Sequence, residues 1–116
     1  MQPDPSPDFW CALDQLVASS AVVIDWPKGS RRPHWPDRPY PLDYGHLEAT
    51  RAGDGREIDV WIGEHSSGLV TACGVTVDLY KRDSEIKILI DCGPEEIEAV
   101  KAFHDFGPMH MAVFYR

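Results

Sequence analysis

Residues 52–63 read "AGDGREIDVWIG". A Gly-Asp-Gly turn runs straight into a two-residue alternation, with Ile58, Val60 and Ile62 on one face and Glu57, Asp59 and Trp61 on the other. That period belongs to a half-buried strand, and a D-G pair ahead of it to a hairpin turn. The same stretch places Asp54 at the turn and Asp59 on the strand, with the cation Arg56 between them. The two acids read either as wet turn-and-strand carboxylates or as part of a metal site.

The pattern continues outward in both directions. "SEIKILIDC" (84–92) alternates again, setting Ile86, Ile88 and Ile90 opposite Glu85, Lys87 and Leu89. "GLVTACGVTVDLY" (68–80) is rich in β-branched residues and predicts one long strand or two short ones. Upstream, "YPLDYGHLEA" (40–49) is extended, with Gly45 expected at a bulge or bend, and "AVVIDWP" (21–27) predicts a strand ending at Pro27. "KGSRRPHWPDRP" (28–39) holds three prolines and four basic side chains and reads as a basic loop, either a solvated surface or an anion contact.

Helices are predicted at both ends. "SPDFWCALDQLVASS" (6–20) has Ser6 as cap, Pro7 in the first turn, and a stripe of Phe9, Leu13, Leu16 and Val17. "GPEEIEAVKAFHDFG" (93–107) has Pro94 and acids in its first turn, Ile97, Val100, Ala102 and Phe103 on its buried side, and Gly107 as its stop. "MHMAVFYR" (109–116) predicts a last strand. Residues 1–7 are expected to be a disordered lead, and residues 8–116 one domain. Successive short strands between terminal helices favour a mainly β (α+β) fold, an antiparallel barrel or sandwich, over a parallel α/β sheet.

The formal net charge of -8 makes the chain a poor generic binder of nucleic acid or of an anionic membrane. It suits a metal cation, or a small anion that arrives carrying one. Cys11, Cys73 and Cys92 lie far apart with no C-x-x-C pair, which argues against a zinc site or a disulfide framework and suits a reducing cytoplasm. The acidic, proline-rich start is unlike a secretory signal, and no apolar run approaches a membrane span.

A hard cation such as Mg²⁺ takes carboxylate oxygens and keeps several waters. Asp54, Asp59 and Glu85 could hold one, while Lys87, Lys28 and the loop arginines take phosphate oxygens. The order of segments sharpens this. "VVIDWPKGSRR" (22–32), "YPLDYGHLEATRAGDGREIDVWIG" (40–63) and "GVTVDLYKRDSEIKILI" (74–90) together resemble the soluble, Mg²⁺-dependent inorganic pyrophosphatases of the barrel-fold family. Those enzymes carry K-G-S-R, Y-P-x-[DN]-Y-G, D-G-D-P-x-D-V and G-V…D-x-K in this order. The resemblance implies an OB-like five-stranded antiparallel barrel with peripheral helices. It also implies a divergent inorganic diphosphatase acting on pyrophosphate or a related phosphoanhydride with Mg²⁺. It assigns Asp54, Asp59 and Glu85 to metal, and Lys28, Arg38, Tyr44 and Lys87 to substrate, with Asp25 near the site. Members of the family are often oligomeric, so a homo-oligomer is the further partner it implies.

The departures are equally specific. Arg56 stands where the family has the middle aspartate, which bridges metals and orients the attacking hydroxide, so the general-base position is lost. Tyr80 stands where another metal aspartate is expected, with Asp78 or Asp83 as alternatives. His34 falls near an expected phosphate lysine, and Phe106-Gly107 replaces a Tyr-Lys pair. A guanidinium cannot deprotonate, so Arg56 would repel a second metal, pair with an acid, or point into water. Fewer metal ions and weakened hydrolysis are expected. A non-catalytic phosphate-binding barrel and a purely structural role remain the alternatives.

Overall fold

The structure is a computed structural model that describes residues 5–116. The outer part of the expected disordered lead, residues 1–4, lies outside the described residues. Ser6 caps the first helix, α1 (Pro7–Ala18), by accepting from the Phe9 amide at 3.3 Å. The strands are β1 (Val22–Trp26), β2 (Asp43–Leu47), β3 (Ile58–Ile62), β4 (Val70–Asp78), β5 (Asp83–Ile90) and β6 (Met109–Tyr115), with helix α2 (Pro94–His104) before the last. The fold is therefore mainly β with two helices.

The strands form one mixed sheet in the order β1-β2-β3-β5-β4-β6. This corrects the expected five-stranded antiparallel barrel in three respects. A sixth strand extends the sheet beyond β4, and β3 pairs with β5 in parallel, Asp59 opposite Lys87. β1 and β6 are the two edges, so the sheet is open.

Alternation sorts the side chains onto two faces. Val60, Ile88 and Ile90 pack under Trp10, Leu13 and Val17 of α1. Leu13, Leu16 and Val17 of the expected α1 stripe face this core, but its first member is replaced: Trp10 is buried while Phe9 is exposed. Trp61, Leu89 and Met111 pack under Ile97 and Val100 of α2. A bulge between Val70 and Ala72 lets the two go to opposite cores. Gly45 is buried where the bulged strand β1 crosses β2, and a Cβ there would lie 1.8 Å from the Val23 carbonyl oxygen.

α2 ends earlier than Gly107. Asp105 is its C-cap, and Gly107, at φ +57°, turns the chain into β6. The inward position expected of Ala102 is taken by His104, which is buried. The indole N–H of Trp61 donates to His104 Nε2 at 3.0 Å, so the ring proton sits on Nδ1, facing Met109 Sδ at 3.4 Å. Burial, reinforced by the positive charges of Lys87 and Arg38, lowers the His104 pKa to about 3. The unfolded chain takes that proton near 6.5. The stability owed to the neutral ring is complete above that value and is lost as pH falls toward 3, by at most about 1.4 kcal/mol per pH unit. Urea titrations at pH 7, 5.5 and 4 should show a steeper acid loss for the natural chain than for His104→Gln. Equal slopes would refute this account.

Candidate functional site

At the other end of the α2 face the helix no longer covers the sheet, and the strands turn polar. A cavity of about 480 Å³ opens there, lined by Tyr44, Asp54, Arg56, Glu57, Asp59, Lys81, Asp83, Glu85 and Lys87. β2 supplies Tyr44, β3 supplies Asp59, and β5 supplies Asp83, Glu85 and Lys87. The turn before β3 brings Asp54, Arg56 and Glu57, and the β4–β5 turn brings Lys81.

Lys87 is the hub. Its Nζ donates to Asp59 Oδ2 at 2.6 Å, to Tyr44 Oη at 2.9 Å and to Glu85 Oε2 at 3.0 Å. An ammonium has three N–H groups, and all three are engaged. The strand register dictates this: Asp59 lies opposite Lys87 across the parallel pair, and Glu85 is two residues back on the same face. The Lys87 side chain is 7% exposed. Burial alone would lower its pKa, but Tyr44 and the Asp59 carboxylate outweigh that and raise it. Burial likewise raises the Tyr44 phenol, so at neutral pH it keeps its proton. Tyr44 packs on Trp61 with ring centroids 4.6 Å apart, at the boundary between the apolar core and the polar cavity.

The two turns are built alike. Asp54 Oδ1 accepts from the Arg56 amide at 2.9 Å, a bond that is the chief cause of its lowered pKa. Gly55 between them sits at φ +86°, where a side chain would be strained. Asp78 Oδ1 accepts from the amides of Tyr80 and Lys81 at 2.9 and 3.0 Å. Asp78 is therefore committed to its turn, Tyr80 is 86% exposed, and Asp83 is the acid from this segment that reaches the cavity. Among the described residues, neither the Arg56 guanidinium nor the Lys81 ammonium forms an ion pair.

The structure thus gathers Tyr44, Asp54, Asp59, Glu85 and Lys87 around one cavity, and Lys28 and Arg38 lie outside its lining. Lys28 Nζ pairs with Glu64 at 3.2 Å. Arg38 donates to the Phe103 carbonyl and lies over the rings of Phe103 and Phe106, at 4.6 and 3.8 Å. Arg32 lies over Trp26 at 5.1 Å, and Arg31 donates to the Pro36 carbonyl at 2.5 Å. Arg32 and Arg38 therefore bind the basic loop to the rest of the protein, and Arg31 braces the loop internally. Asp25 holds His46 Nδ1 at 2.8 Å and does not line the cavity. Lys81 was not legible as a cavity residue, because nothing local in "DLYKRD" tells which side of the turn faces the acids.

Carboxylates are the right donors for Mg²⁺, but their arrangement does not fit a resident metal centre. No group of three His, Cys, Asp or Glu side chains among the described residues is placed to hold an ion. Between Asp59 and Glu85 stands the Lys87 ammonium, already their counter-charge.

Solved inorganic pyrophosphatases share this fold. One from Neisseria gonorrhoeae matches at TM-score 0.63 and 16% identity, over 81% of this chain and 80% of that one. One from Helicobacter pylori matches at TM-score 0.63 and 12% identity, over 82% and 83%. An inorganic phosphatase from Anaplasma phagocytophilum matches at TM-score 0.57 and 18% identity, over 81% of each chain. No family model matches the chain, and no curated protein does. At these identities the likeness is one of fold.

Proposed function

We propose that the protein is pyrophosphatase-like in ligand as well as fold. Its cavity takes inorganic pyrophosphate or a related small phosphoanhydride, and turnover is slow. The observation that carries this reading is the convergence of Tyr44, Asp59 and Glu85 on Lys87 at the cavity within a pyrophosphatase-like fold. Mg²⁺ enters on the ligand's own oxygens, since the residues supply no ready cluster for it. Lys87 orients Asp59 and Glu85, and it reaches a phosphoryl oxygen only by exchanging one of its three bonds. The lost general base alone accounts for a rate deficit of about 10²–10⁴.

A second reading, binding without turnover, is favoured by Arg56. It puts a permanent cation on the cavity wall at the position where the resemblance calls for a carboxylate. A phosphate-release assay with pyrophosphate separates the two. Release is expected to depend on Mg²⁺, to vanish in Asp59→Ala, and to rise about 100-fold in Arg56→Asp as a general base is restored. Ligand binding with no release from either the natural chain or Arg56→Asp would select the second reading. Absence of both binding and release would remove the phosphoanhydride altogether.

A further inference from the structure

We infer that Arg56 and Lys81 form an anion clamp across the cavity and supply positive charge that a metal cluster would otherwise provide. The inference rests on the phosphoanhydride reading above and adds a recognition device to it. Four observations carry it.

Both residues line the same cavity, one from each of the two turns that border it. Both are exposed along the side chain while their backbones are fixed, Arg56 by the Asp54 carboxylate and Lys81 by the Asp78 carboxylate. Neither is paired with an acid among the described residues, although five acids line that cavity. Lys87, the third cation of the cavity, has no N–H left to give. The positive charge open to an incoming phosphoryl group is therefore that of Arg56 and Lys81.

Guanidinium and ammonium suit the two ends of such a ligand differently. Arg56 offers a planar fork to two oxygens of one phosphoryl group, and Lys81 a compact point charge to the other. Because the cations belong to the protein, part of the affinity survives without a divalent ion.

Calorimetric titration with inorganic pyrophosphate, in a chelating buffer and in Mg²⁺, tests this. The natural chain should bind in chelator. Arg56→Gln and Lys81→Gln should each weaken that binding about tenfold, the effect of losing one charge-assisted contact. Arg82→Gln, which changes a neighbouring cation that does not line the cavity, should leave it unchanged. Binding that requires Mg²⁺ and ignores both clamp substitutions would overturn the clamp and leave the phosphoanhydride reading standing. An equal loss in Arg82→Gln would also overturn it, reducing the effect to general charge. No binding in either buffer would overturn the phosphoanhydride reading, and the clamp with it.

Discussion

Gly45→Ala is expected to cost on the order of 3 kcal/mol or more, a large share of the ~5–15 kcal/mol that holds a domain of this size together. The added methyl would sit 1.8 Å from the Val23 carbonyl oxygen and 2.9 Å from the Ile24 Cα. Both are backbone atoms, so no rotamer change relieves the contact. β1 would have to lift from β2 and surrender part of its register, Val23 opposite His46 and Ile24 opposite Gly45. A shift of the urea midpoint measures the loss, and a cost below about 1 kcal/mol would show that β1 yields easily. Since β2 also carries Tyr44, the same variant should loosen the contact between Tyr44 and Lys87.

The second large effect is expected at Lys87. Lys87→Met removes the counter-charge from two carboxylates that approach it at 2.6 and 3.0 Å. Breaking a fully buried pair costs about 3–5 kcal/mol. Asp59 and Glu85 remain 30% and 26% exposed, so water screens them in part and about 2–3 kcal/mol is the reasonable figure at pH 7. Two signatures mark the cause. Adding Asp59→Asn and Glu85→Gln to the variant should narrow the gap between variant and natural chain. The other lies at the alkaline end. The folded state raises the Lys87 pKa, so its contribution is complete below the ordinary value of 10.5 and is lost as pH climbs through the higher folded one. Tyr44 behaves alike from 10.0 upward. Lys87→Met should lack the lysine part of that alkaline loss. A variant as stable as the natural chain at neutral pH would mean that the acids do not need the lysine.

Local signals in the sequence account for most of the elements. Alternation in "EIDVWI" and "SEIKILI" fixed the faces of β3 and β5, and Ser6 and Pro94 marked the starts of both helices. The parallel pairing of β3 with β5 was not legible, because register between distant strands is set by which faces find a common core and not by either segment alone. Of the residues that line the cavity, the family resemblance assigned Tyr44, Asp54, Asp59, Glu85 and Lys87 to metal or substrate, and it singled out Arg56 and Asp83 as departures from its pattern. It also named Lys28 and Arg38, which engage Glu64 and the Phe103–Phe106 rings instead. A basic loop gives no sign from composition alone whether its arginines face a ligand or the protein's own aromatics.

The bond from Asp54 to the Arg56 amide, and its counterpart from Asp78 to the Lys81 amide, separates two kinds of position. Asp59, Asp83, Glu85 and Lys87 sit on strands, where a change of side chain disturbs the core behind them. Arg56 and Lys81 sit on turns whose shape is held by the preceding aspartates, so their own side chains are free to vary at little cost to folding. Divergence of ligand preference can proceed through those two positions while the scaffold stays constant, and a laboratory selection for new anion specificity would do well to randomise them first.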